Sequence, residues 1–377
     1  GQTSQAGLQD PGLYQVLDLC LECKACKSEC PTGVDMARLK SEFLYHYQKT
    51  HGTPLRTRLL GSAERAAVWG TRLAPLSNWV SGISPARKLT AWALGLSPER
   101  KIPQAERHTF LRWWTTRAPD STLHATVGAA PAQELALFAD TFTNHYEPRL
   151  GKAAVRFAEK LGYRVSVPAK VCCGRPQISK GLLLEARRKA EDTVRILAPI
   201  AASGTPIVFC EPGCYSAVRD DHPLLLRGEL REMAEVVAKA CQTFEEWADT
   251  ALARMDSSEG GGRSFAPGPE RVLLHAHCHQ KALGGLPSAL KLLGRLPDTE
   301  VSDADAGCCG MAGSFGYEQE HYTVSRAVGE RKLFPAVRSA TSGTVIVAPG
   351  FSCRQQIRHF TGVEAVTVPE LMEGLMV

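Results

Sequence analysis

The hydrophobic and polar positions follow one pattern in the first third of the chain and another pattern afterwards. Up to about residue 120, apolar residues recur at helical spacing, as Leu13, Val16 and Leu17 do. From about residue 131, short apolar runs alternate with longer amphipathic segments. These runs predict strands over 134–138, 164–167, 206–209, 271–274 and 344–347, with helices over 149–162, 182–202 and 229–255.

The second half of this pattern repeats the first half after about 137 residues. Superposing the repeats pairs Cys172-Cys173-Gly174 with Cys308-Cys309-Gly310, Cys214 with Cys353, Thr141 with Cys278 and Cys210 with Pro349. Each repeat therefore has four cysteines and lacks a different one of five positions. Because the cysteines follow strands, they are predicted at the carboxyl edges of parallel sheets, around one cleft shared by both repeats.

The predicted fold class is α/β: an N-terminal α-helical ferredoxin-like segment followed by two pseudo-symmetric repeats with parallel sheets. The predicted domains are 1–120, 131–255 and 270–377. The glycine-rich stretch 256–269 is predicted to be a flexible linker. The amphipathic stretch 69–96 carries three tryptophans, for which helix packing is the first interpretation and a membrane or partner surface the second.

Four cysteines near the N-terminus have the spacing C-x-x-C-x-x-C-x-x-x-C-P, which is typical of a ferredoxin [4Fe–4S] cluster. They are Cys20, Cys23, Cys26 and Cys30, followed by Pro31. A structural zinc site is the alternative, although zinc usually takes two separated C-x-x-C pairs. A second question is whether Cys30 closes this cluster or points to another metal site.

The cysteines of the repeats predict a second metal site. Adjacent thiols do not usually fill one tetrahedral zinc site, so they favour a multinuclear iron–sulfur centre. The candidate ligands are Cys172, Cys173, Cys210, Cys214, Cys278, Cys308, Cys309 and Cys353. The glycines of 310–316 are expected to open a helix that stabilises thiolate charge.

Histidines surround one of these candidates. Strand alternation would place His275, His277 and His279 on the face opposite Cys278, either as ligands or in ordinary hydrogen bonds. Cys241 is predicted to be a buried structural cysteine within the long helix 229–255. No residue is assigned a catalytic role.

The composition of the chain limits which cellular compartment and which kinds of partner are expected. The 377 residues include 13 cysteines in clusters, which indicates metal binding in a reducing cytosol. No apolar run is long enough to span a membrane, so the chain is predicted to be cytoplasmic, with peripheral attachment at the inner face of the membrane as an extension. Residues 1–120 hold 16 Lys and Arg against 10 Asp and Glu, for which a solvated surface is the first interpretation and a face for a partner or an anionic membrane the second. No nucleic-acid motif is present.

These motifs resemble a known group of proteins. The cysteine motif, with 271–283, 306–317 and 350–357, is similar to the C-terminal iron–sulfur half of bacterial FAD-linked oxidases of the D-2-hydroxyglutarate or D-lactate dehydrogenase kind. It also resembles the iron–sulfur subunits of glycolate oxidase and of anaerobic glycerol-3-phosphate dehydrogenase, and the Cys-Cys-Gly repeats resemble the catalytic subunit of heterodisulfide reductase. The single ferredoxin motif, Thr141 and Pro349 depart from these patterns.

The resemblance implies an electron-transfer module. FAD on a partner subunit, or on a missing N-terminal half, would oxidise a 2-hydroxy acid, and this chain would pass the electrons to a quinone or a soluble carrier. The sequence itself shows no flavin, nicotinamide or P-loop fingerprint. The alternatives are a catalytic thiol or disulfide reductase and a zinc-bound scaffold.

Overall fold

The structure, a computed structural model, describes residues 7–117, 133–169, 172–257 and 263–377, and the first of these segments is helical. Aspartate caps fix two of its helix starts: Asp10 accepts hydrogen bonds from the amides of Gly12 and Leu13, and Asp35 accepts one from the amide of Arg38. The helices are α1 (Pro11–Asp18), α2 (Ala25–Glu29), α3 (Met36–His51), α4 (Leu55–Gly61), α5 (Ala63–Arg72), α6 (Leu76–Gly82), α7 (Ser84–Leu94) and α8 (Phe110–Thr116).

The first repeat is a parallel sheet with helices between its strands. Its strand order is β2-β1-β3-β4. The elements are β1 (Glu134–Leu137), α9 (Thr141–His145), α10 (Pro148–Lys160), β2 (Arg164–Ser166), α11 (Arg175–Ser179), α12 (Leu183–Ala202), β3 (Ile207–Phe209), α13 (Pro212–Ser216), a π-helical turn (Ala217–Asp221), α14 (His222–Leu225), α15 (Glu229–Ala240), β4 (Cys241–Thr243) and α16 (Phe244–Asp256).

The second repeat has a parallel sheet with the order β6-β5-β7. Its elements are β5 (Arg271–Leu274), α17 (Cys278–Ala282), α18 (Leu286–Leu293), β6 (Glu300–Asp303), two 3-10 turns (Phe315–Tyr317 and Gln319–His321), α19 (Tyr322–Glu330), α20 (Leu333–Arg338), β7 (Thr344–Val347), α21 (Phe351–Thr361) and α22 (Val368–Leu375). The predicted α/β class with two parallel-sheet repeats is confirmed.

The two repeats share a topology as well as a sequence pattern. The order β2-β1-β3 corresponds to β6-β5-β7, and a single parallel bridge between Val347 and Val366 stands where β3 pairs with β4. Both fourth positions lead into a helix with a Thr/Glu capping box, at Thr243 and at Thr367. The internal repeat is therefore a structural repeat.

One hydrophobic core joins the two repeats. It contains Leu137 and Val208 from the first sheet and Val272, Leu274 and Val347 from the second, all at most 1% exposed. A separate small cluster of Leu17, Phe43 and Leu44 holds the N-terminal helices together. The division at 1–120, 131–255 and 270–377 therefore remains a proposal about folding units, because the repeats pack through common apolar residues.

Two predicted elements are wrong. The long helix over 229–255 is interrupted, because Cys241 pairs with Ile207 as the first residue of β4 and the Thr243 capping box starts α16. Cys241 is fully buried as expected, but it lies in a strand. Residues 310–314 form an irregular turn that leads into the 3-10 turn Phe315–Tyr317 and no α-helix, since Ala312 and Gly313 have φ angles of 43° and 64°.

The predicted flexible linker is partly anchored. Phe265 is buried and forms an antiparallel bridge with Met376, and the amide of Ala266 donates to the carbonyl oxygen of Leu375 at 2.8 Å. This pairing fixes the segment against α22, so mobility is wrong for this part of 256–269. Residues 258–262 of the same stretch lie outside the described residues.

The tryptophans of the N-terminal helices lie on the surface. Trp69 is 59% exposed, Trp79 66% and Trp92 80%, so the packing interpretation is wrong for these three residues. Among the described helices, none has the length and apolar character that crossing a bilayer requires.

Candidate metal centre

The N-terminal cysteines lie on a tight loop between α1 and α3, here called the cysteine loop (residues 20–30). Two non-glycine residues of this loop are left-handed, Glu22 with a φ of 51° and Lys24 with a φ of 61°. Such conformations cost free energy and persist only where the surroundings hold them. These two residues flank Cys23, so the backbone turns sharply at the centre of the cysteine motif.

Buried charges fasten this loop to the rest of the protein. The Lys24 ammonium is 1% exposed, and it lies 2.6 Å from an Asp220 carboxylate oxygen and 2.7 Å from one of Asp221. Lys40 donates to the carbonyl oxygen of Cys20 at 2.8 Å. Nε2 of His279 donates to the carbonyl oxygen of Glu22 at 2.8 Å. Both repeats thus contact the loop backbone or its side chains.

The loop thiols fit an iron–sulfur centre at three of the four positions. Burial raises the pKa of Cys20 and of Cys23, and the Cys278 thiol raises the pKa of Cys23 further. The amide of Met36 points at Sγ of Cys26 at 3.3 Å, which is the contact that stabilises a thiolate. The ammonium groups of Lys24 and Lys40 nearby would offset the negative charge of thiolates and cluster.

Cys30 differs from the other three. Its Sγ contacts the Thr32 hydroxyl at 3.1 Å, and this hydrogen bond, with the Val34 amide, lowers the pKa of Cys30 to about 7. Its described partners belong to its own turn. Whether Cys30 closes the cluster therefore stays a prediction, as does the ligand role of the whole set.

One cavity of about 280 Å³ collects thiols from all three parts of the chain. Both repeats contribute to it, so the predicted shared cleft is confirmed as a geometric feature. Arg175 and Glu211 supply charges at its wall, and Phe142 and Phe351 stack against each other with ring centroids 4.5 Å apart. The cysteines that line it are Cys20, Cys172, Cys173, Cys214, Cys278, Cys308 and Cys309.

In the first repeat the structure groups three of the four predicted thiols. Sγ of Cys173 and Sγ of Cys214 are 3.0 Å apart, and the Cys172 thiol hydrogen-bonds Cys173. Cys210 stands among carboxylates: burial raises its pKa well above the usual value, and Asp140 and Glu245 add to the shift. Cys210 therefore belongs to a polar, acidic environment and to a different hydrophobic cluster from Cys173 and Cys214.

In the second repeat all four predicted thiols form a connected group. The Cys278 thiol hydrogen-bonds that of Cys308, which bonds Cys309, which in turn bonds Cys353. They come from the starts of α17 and α21 and from the Cys-Cys-Gly loop after β6. Gly310, with a φ of 88°, lets this loop pass within van der Waals reach of the Ser325 carbonyl.

The three histidines do not share one face, so the alternation predicted for them is wrong. The strand ends at Leu274 and α17 starts at Cys278, with His277 as its N-cap: Nδ1 of His277 accepts from the amide of His279 at 3.1 Å. His277 and His279 line the cavity beside Cys278. His275 lies outside the cavity lining, is 1% exposed, and has its pKa lowered to about 3 by burial.

Sequence reasoning missed the charged residues that hold the site. Arg175 hydrogen-bonds Asp221, which also binds Lys24, so a buried network of opposite charges links the cysteine loop to the first repeat. Of these charged residues, only Lys24 could have been noticed in the sequence, because it lies between two cysteines of the motif. Arg175 and Asp221 come from elements far apart in the chain, and only folding brings them together.

Comparisons with known proteins agree with this architecture. Residues 139–219 and 272–358 each match the model of the CCG family, described as a cysteine-rich domain. The chain is 27% identical to a subunit of the anaerobic glycerol-3-phosphate dehydrogenase of Escherichia coli K12, over 94% of this chain and 86% of that protein. The predicted resemblance is therefore confirmed.

The chain spans different shares of the length of two further relatives. D-2-hydroxyglutarate dehydrogenase of Pantoea ananatis is 28% identical over 91% of this chain, but the chain spans only 32% of that protein. Lactate utilization protein A of Macrococcus caseolyticus is 25% identical over 64% of this chain and 96% of its own length. The chain thus spans most of the length of some relatives and about a third of the length of others.

Proposed function

We propose that the chain is an iron–sulfur electron-transfer module, because two of its segments match the CCG cysteine-rich domain and it is similar to subunits and portions of dehydrogenases. It receives electrons from a flavin-dependent 2-hydroxyacid dehydrogenase, fused or separate, and delivers them to a quinone or a soluble carrier. The chain does not oxidise the hydroxy acid by itself. A [4Fe–4S] cluster at the cysteine loop would accept and release one electron at a time.

The observation that carries this proposal is the shared cavity. The Cys20 thiol of the cysteine loop meets thiols of the first repeat and of the second repeat in one space of about 280 Å³. Redox groups exchange electrons efficiently only at short range, so adjacent thiol sites suit a relay. The Lys40 ammonium opposes the rise in the pKa of Cys20 that burial causes, and so favours the thiolate form of that residue.

A second function has one specific observation in its favour. The Cys173 and Cys214 sulfurs lie 3.0 Å apart at the wall of an open cavity, close enough for a dithiol that is oxidised to a disulfide. That arrangement suits a thiol or disulfide reductase that uses the first repeat directly. Turnover of a dithiol by the chain alone would support it, whereas the electron-transfer proposal requires a flavoprotein donor.

The exposed tryptophans support peripheral attachment to the inner face of the membrane. Residues 55–95 carry six Lys and Arg and one Asp or Glu, so the exposed Trp69, Trp79 and Trp92 belong to a basic stretch of the sequence. Aromatic residues flanked by basic ones favour the headgroup region of anionic bilayers. A membrane-bound quinone as acceptor would agree with this placement.

The test is reduction by a flavoprotein under anaerobic conditions. The chain is purified without oxygen, its iron and acid-labile sulfide are measured, and EPR spectra are recorded before and after addition of a flavin-dependent hydroxyacid dehydrogenase with substrate. We expect an iron–sulfur signal that appears only when dehydrogenase and substrate are both present. Cys309→Ala should lower electron transfer from the flavoprotein, and Cys241→Ala, which is also buried but lies outside the cavity lining, should lower it less. A colourless protein that contains zinc and no sulfide would contradict the proposal.

A further inference from the structure

One buried arginine beside the second repeat has no carboxylate partner. Arg100 lies in the segment between α7 and α8 and is 3% exposed. The backbone fixes this segment against the second repeat, since the amide of Ser97 donates to the carbonyl oxygen of Tyr317 at 2.7 Å. No Asp or Glu oxygen of the described residues lies within 4.0 Å of the Arg100 guanidinium nitrogens. A buried cation is costly unless a negative charge offsets it.

Neutral groups surround this guanidinium. Nε of Arg100 donates to the carbonyl oxygen of Gly316 at 2.8 Å. Its Nη2 donates to Oε1 of Gln356 at 2.6 Å and to Oγ of Ser325 at 3.3 Å. Its Nη1 has no acceptor among the described residues. Three aromatic rings have their centroids 4.8, 5.3 and 5.8 Å from Cζ, namely those of Phe360, Tyr322 and Tyr317. Such rings attract a cation but bring no net negative charge, so the positive charge of Arg100 remains uncompensated.

The thiol of Cys309 is a neighbour of this uncompensated charge. Burial lowers the pKa of Arg100, and two tyrosines and the Cys309 thiol oppose that fall. The loop of Cys309 also contacts a residue that binds the arginine: Gly310 lies against the Ser325 carbonyl oxygen, while Oγ of Ser325 accepts from Arg100. A negative charge on the Cys309 sulfur, or on a group bound to it, would therefore have a buried cation nearby.

The first repeat has an arginine in a similar environment but with a carboxylate. Nε of Arg175 donates to the carbonyl oxygen of Gly213 at 3.4 Å, and its Nη2 donates to Oγ of Ser216 at 3.3 Å. The third partner of Arg175 is the Asp221 carboxylate, whereas Arg100 has a neutral amide as its third partner. A carbonyl and a serine hydroxyl thus bind both arginines, and only one of the two is neutralised.

Both arginines interact with the second thiol of a Cys-Cys pair, Arg175 with Cys173 and Arg100 with Cys309. Asp221 offsets the cation beside Cys173, but no described carboxylate offsets the cation beside Cys309. The two repeats therefore differ in the electrostatics of their thiols, although their cysteine motifs match in sequence. The second repeat is the one that favours additional negative charge.

We infer that Arg100 is the counter-charge of the redox group bound through Cys309, and that it makes the second repeat the preferred place for an added electron. The redox group gains one electron and one negative charge, and the flavoprotein donor loses the same electron. A nearby uncompensated cation stabilises the reduced, more negative form, so it raises the reduction potential. Arg100 itself accepts no electron, and its role is to position the added charge. The inference deepens the proposed function and rests on it for the presence of redox centres.

The test is an anaerobic redox titration with a chemical reductant, followed by EPR. The signal that disappears in Cys309→Ala is assigned to the second repeat, and the signal that disappears in Cys23→Ser to the cysteine loop. In Arg100→Gln we expect the second-repeat centre to be about tenfold less reduced at a fixed potential, which is a fall of about 59 mV for a one-electron couple. The cysteine-loop signal should shift less, and iron and labile sulfide should stay at the native level.

Further variants separate the charge of the arginine from its structural role. Arg100→Lys keeps the charge and should restore most of the native potential. Gln356→Glu leaves Arg100 in place but gives it a carboxylate partner like that of Arg175, so it should lower the potential as Arg100→Gln does. This variant also covers the case in which Arg100→Gln folds poorly. Arg338→Gln is the matched control, because that arginine also lies over a ring, that of Phe334, but is 45% exposed, and no shift is expected.

Several results would overturn the inference. These are a native potential in both Arg100→Gln and Gln356→Glu, a potential in Arg100→Lys no higher than in Arg100→Gln, or an equal shift in Arg338→Gln. The lack of any Cys309-dependent signal would also overturn it, and the proposed function would stand if the flavoprotein still reduces the cysteine loop. The expected shifts in a chain that no flavoprotein reduces would support the inference and contradict the proposed function, so the two failures are distinguishable.

Discussion

Nε2 of His279 donates to the carbonyl oxygen of Glu22 at 2.8 Å, although 257 residues separate the two along the chain. This bond joins the start of α17, next to Cys278, to the left-handed turn of the cysteine loop. The loop is consequently held by the second repeat through its backbone and by the first repeat through Lys24. A change at either contact should therefore reach the thiols of the loop.

Replacement of Cys23 should remove the cluster of the cysteine loop and leave the protein folded. We expect Cys23→Ser to abolish the ferredoxin-type EPR signal and to leave the α/β repeats folded, because their shared core does not include the small cluster of Leu17, Phe43 and Leu44. EPR and circular dichroism measure the two effects. Cys241→Ser is the control for loss of a thiol outside the cavity, and global unfolding of Cys23→Ser would contradict the expectation.

The buried ion-pair network predicts a large loss of stability. Lys24→Met removes the buried cation that Asp220 and Asp221 share and leaves them only Lys27 and Arg175, and breaking such a buried pair costs about 3 kcal/mol. Urea denaturation of the anaerobic protein measures the free energy of unfolding. Lys27→Met is the matched control: that side chain also binds Asp220 but is 28% exposed, so a loss below about 1 kcal/mol is expected. Equal losses would show that burial does not decide the effect.

Two glycines of one loop should respond differently to alanine. Gly310 and Gly313 both have positive φ, but a Cβ on Gly310 would lie 2.2 Å from the Ser325 carbonyl oxygen, whereas a Cβ on Gly313 meets nothing within 4 Å. Gly313→Ala should cost about 1 kcal/mol of unfolding free energy from backbone strain alone. Gly310→Ala should cost about 3 kcal/mol, because crowding adds to the strain. Thermal unfolding of both variants tests this, and similar losses would refute the crowding argument.

The free energy of unfolding should fall between pH 6.5 and 9 because His321 loses a proton in this range. Although burial opposes it, hydrogen bonds to Asp18 at 2.9 Å and Glu318 at 3.0 Å raise the pKa of His321 to about 9 from 6.5. The folded state therefore binds this proton more tightly than the unfolded state, so the stabilisation is complete below pH 6.5 and disappears as the pH rises through 9.

Denaturant melts at several pH values measure that slope. His321→Gln should remove most of the decline between pH 6.5 and 9, and His46→Gln, on the exposed side of α3, should leave it intact. The same decline in native protein and His321→Gln would assign the effect to other groups. Because Asp18 belongs to α1, release of this helix should accompany the loss at high pH.

The exposed tryptophans predict binding to anionic bilayers. Replacing Trp79 and Trp92 with glutamine should weaken binding to vesicles of phosphatidylglycerol by about tenfold, since each loses an aromatic anchor in the headgroup region. Co-sedimentation with vesicles measures the affinity, which should also fall with salt. Leu184→Gln, 57% exposed on α12, is the control for removal of an exposed apolar residue elsewhere. Unchanged binding in the double variant would exclude this surface as the attachment site.

Local spacing in the sequence determined the repeat, most strands and the groups of cysteines. Strand β5 was predictable because a short apolar run between amphipathic segments indicates a strand directly. The Cys-Cys-Gly motifs were predictable because the same three residues occur in both repeats. The same local reasoning missed β4, since Cys241 becomes a strand residue only by pairing with Ile207. It also predicted packing for Trp69, Trp79 and Trp92, because amphipathic spacing cannot tell whether a helix face finds a neighbour.

Only the tertiary structure decided which residues meet. The three-dimensional arrangement separates Cys210 from Cys173 and Cys214, places His275 against Cys309 and Cys353, and surrounds Lys24 with carboxylates from a distant π-helical turn. The physical reason is that a sequence pattern fixes the face on which a side chain lies, whereas its partners are fixed by how sheets and helices from remote segments pack. The sequence alone thus determined which residue types are available for the candidate chemistry, and packing determined which of them meet.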